Sequence, residues 1–196
     1  MTGFNELGLA APILKALETQ GYTTPTPIQA QAIPPVLAGR DLLGIAQTGT
    51  GKTAAFSLPI IDRLVRKTLP RKGGTCRTLI LSPTRELATQ IADNIRAYSA
   101  NSGLSVTTVF GGVGHRPQQV ALARGVDILV ATPGRLLDHM NERNISFSET
   151  EVFVLDEADQ MLDLGFFPAI RRVVAQLPKV RQNLFFSATM PTDIGK

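Results

Sequence analysis

Tryptophan is absent from this chain of 196 residues, cysteine occurs once and histidine twice. The lone Cys76 excludes an internal disulfide, and no cysteine and histidine grouping has zinc-site spacing, so a reducing, cytoplasmic setting is expected. No apolar run approaches the roughly 20 residues of a membrane-spanning helix. The first basic residue is Lys15, which leaves no charged n-region of a signal peptide. Charged residues are sparse at 18%, while hydrophobic residues make up 43%, a composition that suits one buried core rather than a disordered chain. A net charge of +4 permits a nucleic-acid partner without demanding one. Arg63, Arg66, Lys67, Arg71, Lys72 and Arg77 cluster around Gly73 and Gly74, where a solvated helix end and loop is favoured over a docking patch.

What is present is a regular alternation. Short apolar runs at Leu42 to Ala46, Thr78 to Ser82, Val106 to Phe110, Ile128 to Ala131, Val152 to Leu155 and Leu184 to Ser187 read as strands. Most show little apolar and polar alternation, as expected of strands buried on both faces. Helix-like segments at Thr53 to Arg66, Arg85 to Ala100, Pro117 to Ala123, Leu136 to Glu142 and Ala169 to Leu177 separate them. The expectation is an α/β fold with a doubly wound, mostly parallel sheet flanked by helices. Its polar and glycine-rich segments follow strands directly, so they should share the carboxyl edge of the sheet, where ligands bind in open α/β folds.

Ala46, Gln47, Thr48, Gly49, Thr50, Gly51, Lys52 and Thr53 follow a strand and open a helix, matching the P-loop pattern except that Ala46 replaces its first glycine. Gly49 and Gly51 let backbone N–H groups curl around phosphates at a helix N-terminus, Lys52 reaches the outer phosphates, and Thr53 is placed to ligate Mg²⁺. The alternative is a glycine-rich turn before an ordinary helix. Asp156 and Glu157 stand at the mouth of the strand before them, where Asp156 would hold Mg²⁺ and Glu157 would activate a water as general base. Alone, they read equally well as a helix N-terminus favoured by the macrodipole.

The run Asp156-Glu157-Ala158-Asp159 spells DEAD, and with the P-loop and Ser187-Ala188-Thr189 the chain resembles the DEAD-box RNA helicases of superfamily 2. Gly21-Tyr22-Thr23-Thr24-Pro25-Thr26-Pro27-Ile28-Gln29 is similar to the family's Q motif, with Phe4 at the upstream aromatic position. Leu162 to Phe166 and Arg181 to Leu184 look most like the bacterial RhlE type. The resemblance implies a RecA-like domain spanning 31–196, with 1–30 as a Q-motif region packed on it. It implies an ATP site in which Gln29 reads the adenine edge, Phe4 stacks on the base, and Tyr22 and Thr24 contribute. A carboxamide, donor and acceptor together, fits adenine and not guanine. Read without the family, Phe4 is a core anchor. The resemblance also gives Asp159, Ser187 and Thr189 a polar link coupling the ATP site to domain movement, where turns or caps are the alternative.

Pro83, Thr84 and Arg85, Gly111 and Gly112, and Thr132, Gly134 and Arg135 match the family's remaining first-domain motifs. Their hydroxyls, amides and guanidinium groups suit a sugar-phosphate backbone and offer little base readout. Preference for RNA rests on the resemblance. So does the expectation of a second RecA-like domain, absent here, without which this chain should be monomeric, bind ATP and hydrolyse it very slowly. The rival reading is a non-catalytic, ATP-switched RNA-annealing or scaffolding protein.

Overall fold

The computed structural model describes residues 3–47, 49–100 and 102–189. After a 3-10 turn at Phe4–Glu6 come α1 (Ala11–Thr19) and α2 (Pro27–Leu37). The alternating part follows as β1 (Leu42–Ile45), α3 (Lys52–Arg66), β2 (Cys76–Leu81), α4 (Arg85–Tyr98), β3 (Val106–Val109), α5 (His115–Ala123), β4 (Val126–Ala131) and α6 (Pro133–Asn141). It ends with β5 (Val152–Leu155), α7 (Ala158–Asp163), α8 (Phe167–Ala175) and β6 (Gln182–Ser187).

The six strands form one sheet in the order β1-β6-β5-β2-β4-β3, with every pairing parallel. Parallel strands need crossovers, and the helices cover both faces. Ile80, Ile128, Val130, Val154 and Phe186 point into one core with α1 to α4, whereas Leu79, Leu81, Leu129 and Phe153 point into the other with α6 and α8. The N-terminal segment packs on the first core through Phe4, Leu9, Ile13 and Leu17. Asp62 accepts a hydrogen bond from the Ala10 N–H at 2.7 Å, and Arg66 donates to the Gly8 carbonyl.

The element limits depart from the sequence reading where proline or an edge intervenes. Helices α6 and α8 begin earlier than Leu136 and Ala169 because Pro133 and Pro168 lie in their first turns, where a missing N–H costs nothing. β1 is an edge strand: Leu43 is 44% and Ile45 50% exposed, so the expectation of burial on both faces fails there. The strands β2, β4 and β5 at the centre are buried throughout.

Six basic residues, Arg63 to Arg77, lie toward the opposite edge from the strand mouths, and five are paired. Arg63 and Arg77 face Glu151, Arg66 faces Asp62, Arg71 faces Asp127 and Lys72 faces Glu149. This neutralisation favours the solvated-loop reading. These residues also line a groove of about 1080 Å³, which does not include the P-loop. Cys76 is buried on β2, and burial pushes its thiol up to about 12 against an opposing hydrogen bond from Thr150, so it is inert. No described helix is long and apolar enough to cross a membrane.

Candidate functional site

The strand order divides the carboxyl edge into two neighbourhoods. β1, β6 and β5 bring together the P-loop, Ser187 to Thr189, and Asp156 with Glu157. β2, β4 and β3 bring together Thr84 and Arg85, Thr132 to Arg135, and Gly111 with Gly112. Residues more than 100 positions apart in sequence thereby become neighbours. The Ala46 N–H, for example, donates to the Ser187 carbonyl at 2.9 Å.

In the first neighbourhood the loop is built around glycine. Gly49 and Gly51 hold φ of 86° and 84°, a region that side chains resist. A Cβ on Gly51 would also meet the Gln29 Nε2 at 2.5 Å and the Thr26 Oγ1 at 3.0 Å, whereas one on Gly49 would meet nothing within 4 Å. The loop is closed by Thr50, whose hydroxyl donates to the Gln47 carbonyl at 2.6 Å. Gly51 is the N-cap of α3 and has no side chain, so the helix's first N–H groups face the loop uncapped by any side chain. Thr53, half-buried, follows in the first turn. Thr48 lies outside the described residues.

Lys52 is 5% exposed and reaches across to β5, with its Nζ 3.1 Å from Asp156 Oδ1 and 3.5 Å from Glu157 Oε1. Asp156 is fully buried, and neither of its oxygens has an aligned hydrogen bond among the described residues. Burial pushes its carboxyl above the usual range, against the pull of Lys52. Buried carboxylates need a cation or several donors, and one ammonium leaves this one under-compensated. Glu157 occupies a left-handed conformation at φ 54° and ψ 51°, which for a non-glycine residue costs about 1–3 kcal/mol and here turns the chain sharply from β5 into α7.

Next to it, the Thr189 N–H and hydroxyl both donate to Asp159 Oδ2, at 3.2 and 3.0 Å. Burial opposes ionisation of Asp159, but the Thr189 and Ser187 hydroxyls and the Gln160 and Thr189 amides outweigh it and hold the carboxyl below its usual range. Ser187 is buried, and its hydroxyl faces Asp159 without meeting full hydrogen-bond alignment.

Gln29 joins α2 to this loop. Its Oε1 accepts from the Thr26 N–H at 3.0 Å while its N–H faces the Thr26 hydroxyl at 3.4 Å, a capping box, and its Nε2 donates to the Gly51 carbonyl at 3.1 Å. One N–H and one oxygen lone pair of the amide remain. Phe4 is 5% exposed within the first core, as the core-anchor reading expects. Tyr22 packs edge-on against Tyr98, with ring centroids 6.0 Å apart. Tyr98 ends α4, a helix that starts at the strand mouths and runs away from them for 14 residues, so the Tyr22 ring is not brought to the P-loop. Thr24 is exposed on the approach to α2.

The second neighbourhood satisfies many of its own polar groups. Thr84 caps α4 by accepting from the Leu87 N–H at 3.2 Å, behind a buried Pro83. Arg85 is exposed, stacks 5.2 Å over the Phe110 ring and has no ion pair among the described residues. Gly112, at φ 80°, admits it closely. Arg135 is directed inward: its Nη1 donates to the Val113 carbonyl and to Gln118 Oε1, each at 3.2 Å. Gln118 in turn donates to the Phe110 carbonyl at 2.9 Å, so both ends of the Gly111 and Gly112 loop are tied to one buried amide. Thr132 begins α6 without a side-chain cap bond, leaving N–H groups open beside exposed Gly134. Gln118 and the fully buried His139 escaped the sequence reading because they lie in helix-like segments outside the motifs, and nothing local marks either as a partner of the other.

Comparison with known proteins gives the family and the fold. The DEAD/DEAH box helicase family matches residues 26–196. The chain is 47% identical over 196 residues to the ATP-dependent RNA helicase DeaD of Escherichia coli (strain K12), and equally to that of Shigella flexneri, covering 100% of this chain and 30% of each relative. It therefore spans about a third of the length of these curated relatives, which are named DeaD and not RhlE. A crystal structure of a DEAD box protein from the hyperthermophile Methanococcus jannaschii superposes with a TM-score of 0.90 at 39% identity, covering 99% of this chain and 52% of that one.

Proposed function

Because the chain belongs to the DEAD/DEAH box helicase family, we propose that it is the ATP-binding domain of a protein that remodels RNA duplexes at the expense of ATP hydrolysis. The observation that carries this reading is the cluster of buried Lys52 and Asp156 with half-buried Glu157, facing a loop held open by Gly49 and Gly51. Phosphates seat on the loop amides and the α3 N-terminus, drawing Lys52 toward them. Thr53 and the under-compensated Asp156 fit as holders of Mg²⁺, which when bound neutralises charge on the phosphate oxygens. Glu157 orients and deprotonates the attacking water. The spare donor and acceptor of Gln29 suit adenine.

Single-stranded RNA lies along the β2-β4-β3 half, with its phosphates on Arg85, the Gly111 and Gly112 amides and the open α6 N-terminus. Arg135 acts there by holding the loop in place. The link from Asp159 to Thr189 carries the state of the ATP site to a second RecA-like domain of the whole protein, which supplies the remaining charge stabilisation. The buried, inert Cys76 suits a cytoplasmic setting.

Glu157→Gln in the whole protein tests this. RNA-stimulated ATP turnover should fall by about 10²–10⁴-fold with ATP affinity retained. Unchanged turnover would favour the ATP-switched annealing reading.

A further inference from the structure

Both histidines of the chain meet although 24 positions separate them, since His115 opens α5 and His139 lies near the end of α6. Their rings stack with centroids 4.2 Å apart and an interplanar angle of 15°. Glu142 Oε2 is 2.5 Å from His115 Nε2. Among the described residues, this trio alone places three potential metal-ligand atoms of His, Cys, Asp or Glu within 4.8 Å of one another.

The hydrogen bonds around His139 fix its state. Gln118 donates through Nε2 to Phe110, so its Oε1 can only accept, and His139 Nε2, 2.9 Å away, must donate to it. His139 Nδ1 therefore carries a lone pair, which the Asn144 amide meets at 3.0 Å while also donating to Glu142 Oε2 at 3.0 Å. A buried imidazole with one N–H anchored on a carbonyl oxygen and the other nitrogen free of a proton is in the form a metal-binding histidine requires. Glu142 is likewise oriented, by amide donors from Gln119 and Asn144.

From this geometry we propose that His115, His139 and Glu142 bind a zinc-class divalent cation, with water in the fourth position. Two imidazoles and one carboxylate suit zinc and not magnesium, which prefers oxygen ligands alone. Tetrahedral ligation sets ligand atoms about 3.3 Å apart, so the His115 and Glu142 atoms, 2.5 Å apart, must open while the wider separations to His139 close. The residues that must move are at the surface: the His115 side chain is 31% and that of Glu142 49% exposed, while His139 stays fixed. Binding turns the His115 ring out of its stack and swings the Asn144 amide aside. Since Gln118 also holds Arg135 and Phe110, the cation braces the Gly111 and Gly112 loop from behind.

Co²⁺ titration of the 196-residue chain, without nucleotide or phosphate, tests the site. One equivalent should bind with the visible d–d absorption of a four-coordinate nitrogen and oxygen site, displaced by Zn²⁺ and not by excess Mg²⁺. The surface substitutions His115→Ala and Glu142→Gln should each weaken binding by about tenfold or more, with far-UV circular dichroism unchanged. An absence of saturable absorption, or a spectrum that both variants retain, would overturn the proposal.

Discussion

The two halves of the sheet edge solve opposite problems. On the β1-β6-β5 side the molecule is left short of partners: Asp156 is buried with both oxygens lacking aligned hydrogen bonds, the α3 N-terminus has no side-chain cap, and Gly49, Gly51 and Glu157 hold left-handed backbone. On the β2-β4-β3 side Thr84 caps its helix, and Gln118 satisfies Arg135, His139 and the Phe110 carbonyl at once. A site that waits for a charged ligand stores its deficit where that ligand sits. A surface that grips a repetitive backbone needs only to hold a few groups in register.

The contrast makes distinct demands on mutation. Gln118→Leu strips partners from the Phe110 carbonyl and the buried His139 N–H, and unsatisfied buried groups cost about 1–3 kcal/mol each. We expect about 3 kcal/mol lost in chemical denaturation, weaker RNA binding by the folded variant and unchanged ATP affinity. Loss of ATP affinity equal to the loss for RNA would erase the division between the halves. On the other side, Gly51→Ala combines left-handed strain with a 2.5 Å approach to Gln29, whereas Gly49→Ala carries the strain alone. The first should cost about 2 kcal/mol and the second about 1, both read by thermal unfolding. ATP affinity should drop more for Gly51→Ala, because Gln29 and the loop shift together. Equal effects would show that the capping box of α2 does not set the loop.

Much of this was legible in the chain itself. The Val152 to Leu155 strand coincides with β5, and the P-loop lies between β1 and α3 as its pattern demands, because both depend on local chemistry: an apolar run, two glycines and a helix start. Gln118, His139 and Asn144 were not legible, since their roles arise from the packing of α5 against α6, and no spacing in sequence encodes it. The same cause hid the His115, His139 and Glu142 trio from a search for zinc-site spacing. The sequence reading also missed that Arg135 faces inward, a matter of which acceptors its rotamer meets and not of motif membership. The edge exposure of β1 escaped because strand order is a property of the whole sheet.

Backbone amide chemical shifts, followed while the chain is titrated first with Mg²⁺ and a non-hydrolysable ATP analogue and then with single-stranded RNA, test the division most directly. The nucleotide should perturb residues 46–53, 156–159 and 187–189, and RNA should perturb 83–85, 110–113 and 132–135. RNA shifts confined to the ion-paired basic segment at 63–77, or nucleotide shifts centred on the β2-β4-β3 half, would contradict the account.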